Sequence, residues 1–242
     1  MSHSSRLSVP EFSILKKTEI LQDPSGRRFL REKEICAMKV LLINSSPKPN
    51  GNTAHALEEM KKVFEEQGVE APIIHIGNKD IRGCIACGYC KTHGECVFHD
   101  MVNETAPLFK EADGLVIGSP VYYANANSTA HAFMTRLFYS TPFDKSMKCG
   151  ASVVCARRGG ASTAFDDLNK YFSISNMPIV TSSYWNMVYG RLPGEAAQDV
   201  EGMATVRNLA RNMVFLMKSI DLGKKELGMP EKEPQVPFNF IR

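Results

Sequence analysis

The sequence lacks the features of several broad classes of protein. It contains no apolar run near the roughly 18 residues that a membrane-spanning helix needs, and its first residues lack the apolar core of a secretory signal. A net charge of +3 over 242 residues is too small to indicate a surface for nucleic acid or anionic membrane. Seven cysteines without a secretory signal favour a reducing compartment. We therefore expect a cytoplasmic protein that binds neither nucleic acid nor a membrane.

Two common nucleotide-binding signatures are also missing. The sequence has no G-x-x-x-x-G-K-[ST] segment, which argues against a nucleoside triphosphate held with magnesium. It has no G-x-G-x-x-G segment, which argues against a dinucleotide bound in a Rossmann fold. Any nucleotide-like ligand must therefore be held by other means.

From residue 38 onward, apolar runs alternate with segments of helical periodicity. Residues 39–44 form a continuous apolar run, typical of a parallel strand buried on both faces. Four more strands are predicted near residues 71–76, 114–118, 148–155 and 178–182, and the last helix over about residues 195–219. Five such alternations predict a doubly wound α/β fold that binds ligands at the carboxyl ends of its strands.

The composition divides the chain into three parts. Residues 1–37 are polar and charged with little periodicity, and we expect a poorly ordered N-terminal extension. Residues 38–222 form one domain, within which residues 83–99 make a cysteine-rich loop. Residues 223–242 are rich in proline and are expected to form an extended C-terminal tail.

The loop after the first predicted strand, residues 45–53, has the composition of an anion site. Ser45, Asn52 and Thr53 supply hydroxyl and amide donors, and Gly51 lets the backbone approach a ligand closely. A helix that begins here would add its unpaired amides and its dipole. Such a loop, without a lysine and magnesium clamp, suits a terminal monophosphate such as that of FMN. An ordinary polar connection would have a similar composition.

Two more loops reach the same edge of the predicted sheet. Residues 119–127 follow the third strand and carry Tyr122 and Tyr123, which are suited to flank a planar ring. Residues 157–160 follow the fourth strand, where Arg157 is placed to stabilise an anionic reduced ring and Gly159 permits close approach. Tyrosines that only cover a sheet edge, and a surface arginine pair, would give the same pattern.

In these loops the sequence resembles the flavodoxin-like NADPH-dependent FMN reductase family. The resemblance rests on residues 39–53, 118–123 and 156–160 in this order and covers about residues 38–220. It implies a five-stranded flavodoxin-like parallel sheet with helices on both faces and a non-covalently bound FMN. It also implies a homodimer or homotetramer with the flavin near the subunit interface.

The resemblance also implies which residues contact FMN. The residues that correspond to the phosphate site are Ser45, Lys48, Asn52 and Thr53. Those that correspond to the isoalloxazine site are Pro120, Val121, Tyr122 and Tyr123. The catalytic residues are not identified by the sequence.

Four cysteines, Cys84, Cys87, Cys90 and Cys96, follow the second strand at the spacing C-x2-C-x2-C-x5-C. This spacing is similar to the compact motif of the iron–sulfur flavoproteins, a branch of the same family, and four thiolates are the ligand set of a [4Fe-4S] cluster. Three alternatives stay open. Zinc accepts four thiolates, though usually in two separated pairs. Cys84 and Cys87 alone would make a redox dithiol. In the third alternative, the loop is a substrate lid whose thiols bind nothing.

The sequence therefore predicts an FMN-dependent oxidoreductase. The leading hypothesis is an NAD(P)H-dependent, FMN reductase-like enzyme that passes electrons through FMN to a small acceptor such as a quinone, a nitro compound or flavin. The first alternative is an electron carrier that takes electrons from ferredoxin through a [4Fe-4S] cluster to FMN. The second is a flavin-binding regulatory module without turnover.

Overall fold

The computed structural model describes residues 15–22, 28–35 and 38–234. The strands are β1 (Leu15–Gln22), β2 (Arg28–Ile35), β3 (Val40–Asn44), β4 (Ile73–His75), β5 (Gly114–Tyr122), β6 (Asn125–Ala126), β7 (Cys149–Ala156) and β8 (Met187–Tyr189). The helices are α1 (Asn52–Glu66), α2 (Tyr89–His93), α3 (Met101–Glu111), α4 (Ser128–Ser140), α5 (Ala161–Ile174) and α6 (Val200–Leu227), with a 3-10 turn at Glu195–Gln198.

The central sheet has the strand order β4-β3-β5-β7-β8, and all these strands are parallel. When the five strands are numbered along the chain, this order is 2-1-3-4-5, the flavodoxin-like order. The side on which successive strands are added reverses between β3 and β5, while the strands stay parallel. The predicted α/β fold is confirmed. A short sixth strand, β6, pairs antiparallel with the end of β5.

Alternate residues of β3 pack on opposite faces of the sheet. Val40 and Leu42 contact the core that includes α1 and α6, whereas Leu41 and Ile43 contact the core that includes α3, α4 and α5. Every residue of β3 is buried, as its unbroken apolar sequence predicts for a strand covered on both faces. Cys149 in β7 is buried and packs in the core as a small apolar side chain.

The fifth parallel strand does not lie at residues 178–182, so that prediction was wrong. Ile179 forms only an isolated bridge with Gly150. Beyond it the chain bonds to α6 instead of the sheet, because the Thr181 carbonyl accepts from Asn212 and the Ser182 hydroxyl donates to the Thr205 carbonyl. The edge strand is β8, further along the chain.

Both ends of the chain contain more regular structure than the composition predicts. β1 and β2 form an antiparallel pair within residues 1–37, and the rest of that stretch lies outside the described residues. α6 continues past Gly223 to Leu227 and is followed by Gly228, whose φ of +77° suits a glycine after a helix. The tail is described to residue 234, and residues 235–242 lie outside the description. No helix in the described parts has the length and apolar character needed to cross a bilayer.

Candidate functional site

The loop between β3 and α1 ends in an open helix N-terminus. α1 begins at Asn52, and among the described residues no side chain caps it at Gly51. The first amides of an α-helix have no partner within the helix and carry its positive dipole end. This loop follows β3, next to the point where the strand order reverses, so the geometry suits a phosphate group.

The side chains predicted at the phosphate mostly hold this loop in shape. Ser45 is buried, and its hydroxyl donates to the Gly118 carbonyl at 2.8 Å. Thr53 is buried. The Oδ1 atom of Asn52 accepts from the backbone amide of residue 196 at 3.2 Å. Lys48 is exposed. Direct phosphate contacts by these four residues stay predictions.

The ring loop, residues 119–127, which is predicted to contact the flavin ring, is more regular than its sequence indicates. β5 extends through Pro120 and Val121 to Tyr122, and a two-residue turn leads into β6. Tyr123 and Ala124 occupy this turn with φ values of +50° and +61°, as a type I′ hairpin turn requires. Neither is a glycine, so the turn is strained by about 1–2 kcal/mol per residue.

An open cavity of about 690 Å³ lies beside this hairpin. Its wall includes Val121, half-exposed Tyr122, fully exposed Tyr123 and, from α4, His131. The volume is in the range of small-molecule sites. The Nε2 atom of His131 lies 3.1 Å from the Asp167 carboxylate, which fixes the ring in the cavity wall.

The third loop, residues 157–160, packs directly on the hairpin formed by β5 and β6. Gly160 has a φ of +86°, and a Cβ atom there would lie 2.6 Å from the Cα atom of Ala124. Arg157 and Gly159 are exposed in the same loop. The three loops predicted from the sequence therefore meet at one edge of the sheet.

Asn127 joins the first two loops. Its Nδ2 atom donates to the Ser45 carbonyl at 2.5 Å, and its backbone amide donates to the Ser119 hydroxyl at 3.0 Å. Its Oδ1 atom accepts from the amide of Ala130 and so caps α4. Sequence reasoning did not identify this residue, although an asparagine just before a helical pattern is a recognisable N-cap signal.

The four cysteines of the loop 83–99 line a single cavity: Cys84, Cys87, Cys90 and Cys96. The loop folds back through left-handed residues at Ala86, Gly88 and Gly94, and α2 lies between the two glycines. Within the described residues, no three His, Cys, Asp or Glu side chains are grouped tightly enough to hold one metal ion. Four thiolates on one cavity are the ligand set of a [4Fe-4S] cluster, and zinc accepts the same set.

Arg136 of α4 forms the inner wall of this cavity. Its side chain is almost completely buried and uses all of its N–H donors. Nε donates to the Cys96 sulfur at 3.2 Å, and the two terminal nitrogens bond both oxygens of Asp100 at 2.6 and 2.9 Å. They also donate to the carbonyls of Arg82 and Phe98. Burial alone would lower the pKa of Arg136, but the Asp100 and Cys96 contacts outweigh it and raise the pKa.

Ser140, one turn further along α4, lines the same cavity. It is buried, and its hydroxyl has no hydrogen-bond partner among the described residues. A buried hydroxyl without a partner is costly, so a water molecule or a ligand in the cavity is expected to accept from it. Sequence reasoning missed both Arg136 and Ser140 because they lie far from the cysteines in the chain.

α4 connects the two parts of the site. It begins at Asn127, beside the phosphate and ring loops, and carries Arg136 at the cysteine cavity. The helical rise separates these two residues by roughly 14 Å along the axis. A flavin on the loops and a group held by the thiols would therefore lie near opposite ends of one helix.

Comparison with known proteins agrees with this geometry. Residues 38–191 match the family model of NADPH-dependent FMN reductases. An iron–sulfur flavoprotein of Methanocaldococcus jannaschii is 34% identical over 194 residues, which cover 76% of this chain and 99% of that protein. An iron–sulfur flavoprotein of Methanosarcina thermophila is 28% identical over 188 residues, covering 76% of this chain and 97% of that protein.

Solved structures show the same fold. RosB, determined with bound 8-demethyl-8-formylriboflavin-5'-phosphate, aligns with a TM-score of 0.62 at 16% identity, covering 84% of this chain and 92% of RosB. The NAD(P)H:quinone oxidoreductase of Methanothermobacter marburgensis aligns with a TM-score of 0.58 at 15% identity, covering 74% of this chain and 98% of that one.

The fold and the loops at its carboxyl edge define a flavodoxin-like flavoprotein. The chain belongs to the NADPH-dependent FMN reductase family, in its iron–sulfur flavoprotein branch. It is accordingly an FMN-binding oxidoreductase.

Proposed function

We propose that this oxidoreductase holds a [4Fe-4S] cluster on Cys84, Cys87, Cys90 and Cys96 beside its FMN, and that it transfers electrons from a reduced ferredoxin to a small acceptor. The observation that carries the proposal is the convergence of all four cysteines on one cavity. A redox dithiol would leave two of these thiols unexplained.

In this proposal, FMN and the cluster are held by different residues at two separate places. The open N-terminus of α1 supplies amides for the FMN phosphate, and the hairpin at Tyr122 and Tyr123 supplies a surface for the ring. The four thiols and Arg136 surround the cluster position. Bound FMN supplies one- and two-electron chemistry, and a cluster supplies one-electron exchange.

A second candidate function is direct reduction by NAD(P)H, with electrons passed through FMN to a quinone, a nitro compound or free flavin. The open cavity of about 690 Å³ beside the hairpin favours it, because a nicotinamide or a small planar acceptor fits such a volume. In this case the thiol cavity would be an accessory to the flavin site.

Anaerobic mixing experiments separate the two candidates. Protein purified without oxygen is mixed in a stopped-flow instrument with NADPH, with NADH or with reduced ferredoxin, and flavin absorbance is followed. Rapid bleaching by ferredoxin with slow bleaching by both pyridine nucleotides supports the electron carrier. Rapid bleaching by NADPH or NADH supports the reductase. A protein that binds FMN but is bleached by none of the three would indicate a module without turnover.

A further inference from the structure

The structure assigns to Arg136 and Ser140 of α4 a role in setting the reduction potential of the group that the four cysteines hold. This inference rests on the proposed function, since it takes that group to be a [4Fe-4S] cluster. Both residues are positioning residues: each offers a hydrogen-bond donor to sulfur, and neither is a ligand or transfers electrons.

The two donors lie on the same face of one helix. Residues four apart in an α-helix are neighbours on its surface, and both side chains line the thiol cavity. Both are almost completely buried. Donors shielded from water act in a low effective dielectric, where their interaction with a charge is stronger than at a surface.

Arg136 is held so that it cannot turn away from the sulfur. Asp100 binds both of its terminal nitrogens, and the carbonyls of Arg82 and Phe98 take the remaining donors. Only Nε is left for Cys96, and it lies 3.2 Å from the sulfur. A fixed, charged donor of this kind stabilises negative charge on that ligand.

Ser140 contrasts with its neighbour Thr141. A hydroxyl inside a helix commonly donates to the carbonyl four residues earlier, and Thr141 does so, donating to Leu137 at 2.6 Å. Ser140 makes no such bond within the described part of the chain, although it is equally buried. Its hydroxyl is therefore left for the occupant of the cavity, and a cluster sulfur is an acceptor.

Reduction of the cluster adds one electron and one unit of negative charge, with no bond made or broken. A donor to sulfur stabilises the reduced state more than the oxidised state, so each donor raises the potential. Removing the Ser140 hydroxyl should lower it. Removing the negative charge of Asp100 should raise it, because the positive charge of Arg136 is then less compensated.

The test is a potentiometric titration with dithionite as electron source, followed by EPR, on anaerobically purified holoprotein. Ser140→Ala should shift the reduction equilibrium about tenfold toward the oxidised form, which is ~59 mV for one electron. Asp100→Asn, which keeps the helix cap, should shift it in the opposite direction. Thr141→Val removes a neighbouring buried hydroxyl outside the cavity and should leave the midpoint at the wild-type value.

The outcomes distinguish this inference from the function on which it rests. Wild-type protein without iron and sulfide would refute the cluster itself. Ser140→Ala with a normal cluster content and an unchanged midpoint would overturn only the inference. If Ser140→Ala does not retain a cluster, the midpoint potential of Asp100→Asn is the deciding measurement. A raised midpoint supports the inference, and an unchanged or lowered midpoint overturns it.

Discussion

At the scale of single residues, the pairing of Arg136 with Asp100 holds the cysteine loop against α4. The arginine is almost completely buried and the carboxylate is mostly shielded, with 21% of its side chain exposed. Removing one partner of a buried ion pair leaves the other without compensation, which costs far more than a surface pair contributes.

Arg136→Met should therefore destabilise the cluster-free protein by about 3 kcal/mol, at the low end for a buried pair because Asp100 keeps some contact with water. Urea unfolding at neutral pH measures this. The double variant Arg136→Met with Asp100→Asn should recover part of the loss, since no charge is left unpaired. A single variant as stable as the wild type, or a double variant no better than the single, would contradict this role.

Two cysteines outside the loop predict how stability depends on alkaline pH. Burial raises the pKa of Cys149 and Cys155 from 9.0 to about 12. Both thiols thus stay neutral in the folded protein at a pH where they ionise in the unfolded chain. Their contribution to stability is fully present below about pH 9 and is lost as the pH rises toward about 12.

Between about pH 8 and about pH 10, the wild type should lose roughly 2–3 kcal/mol more stability than the variant Cys149→Ala with Cys155→Ala, because each thiol contributes about 1.4 kcal/mol per pH unit. Urea unfolding with reductant present at both pH values gives the comparison. Equal pH dependence in the two proteins would show that these thiols are not shielded as the structure indicates.

Sequence reasoning found the residues with distinctive chemistry and missed those that support them. The cysteines and tyrosines stand out by type and spacing. Arg136 does not, because its contact with Cys96 joins residues 40 positions apart. A buried arginine or a hydroxyl without a partner is recognisable only after the chain has folded around it.

At the scale of elements, the phosphate would be held by the N-terminus of α1 more than by any one side chain. Ser45 is hydrogen-bonded within the fold, Thr53 is buried, and Lys48 is exposed. Exposed lysines contribute little to binding because water and salt screen them. Amides of a helix end are fixed in place and act on a charge at short range.

Riboflavin, which lacks the phosphate, should bind the FMN-free protein roughly 100-fold more weakly than FMN, the loss expected for about two charge-assisted hydrogen bonds. Lys48→Met should weaken FMN binding less than tenfold. Quenching of flavin fluorescence gives both dissociation constants. Equal affinity for the two flavins would contradict a phosphate site at α1, and a very large effect of Lys48→Met would place the anion on that side chain.

The contact between the loop at residues 157–160 and the hairpin of β5 and β6 can be tested by adding one methyl group at Gly160. Gly160→Ala would place a Cβ atom against Ala124 and would strain a backbone with a φ of +86°. It should displace the Tyr123 turn and raise the dissociation constant of FMN at least tenfold. Gly223→Ala, outside the flavin loops, is the control for an added methyl group, because among the described residues nothing lies within 4 Å of its Cβ position. Equal effects of the two changes would show that the contact does not shape the flavin site.

Elements buried on both faces were predictable, whereas short edge elements were not. The apolar runs of β3, β5 and β7 are typical of central parallel strands, which are buried on both faces. β8 is only three residues long, and residues 178–182 have an equally apolar pattern. Hydrogen bonds to α6 decide which of the two joins the sheet, and a sequence pattern does not contain that information.

At the scale of the whole molecule, several large aromatic side chains lie exposed at the surface. Tyr123 is fully exposed, and Tyr184 and Trp185 pack against each other at the surface. Large aromatic side chains are enriched at interfaces. We propose a homodimer or homotetramer. Light scattering after size-exclusion chromatography should give the mass of two or four chains, and a single-chain mass would contradict this assembly.

We propose that one protein chain holds both FMN and a cluster. The most direct measurement is the iron, acid-labile sulfide, zinc and FMN content per chain after purification without oxygen. We expect about four iron and four sulfide per chain with bound FMN. Cys90→Ala should lose the iron and sulfide but keep FMN, whereas Cys155→Ala should keep all three. A yellow protein with FMN but no iron, or with zinc and no sulfide, would contradict the proposed cluster.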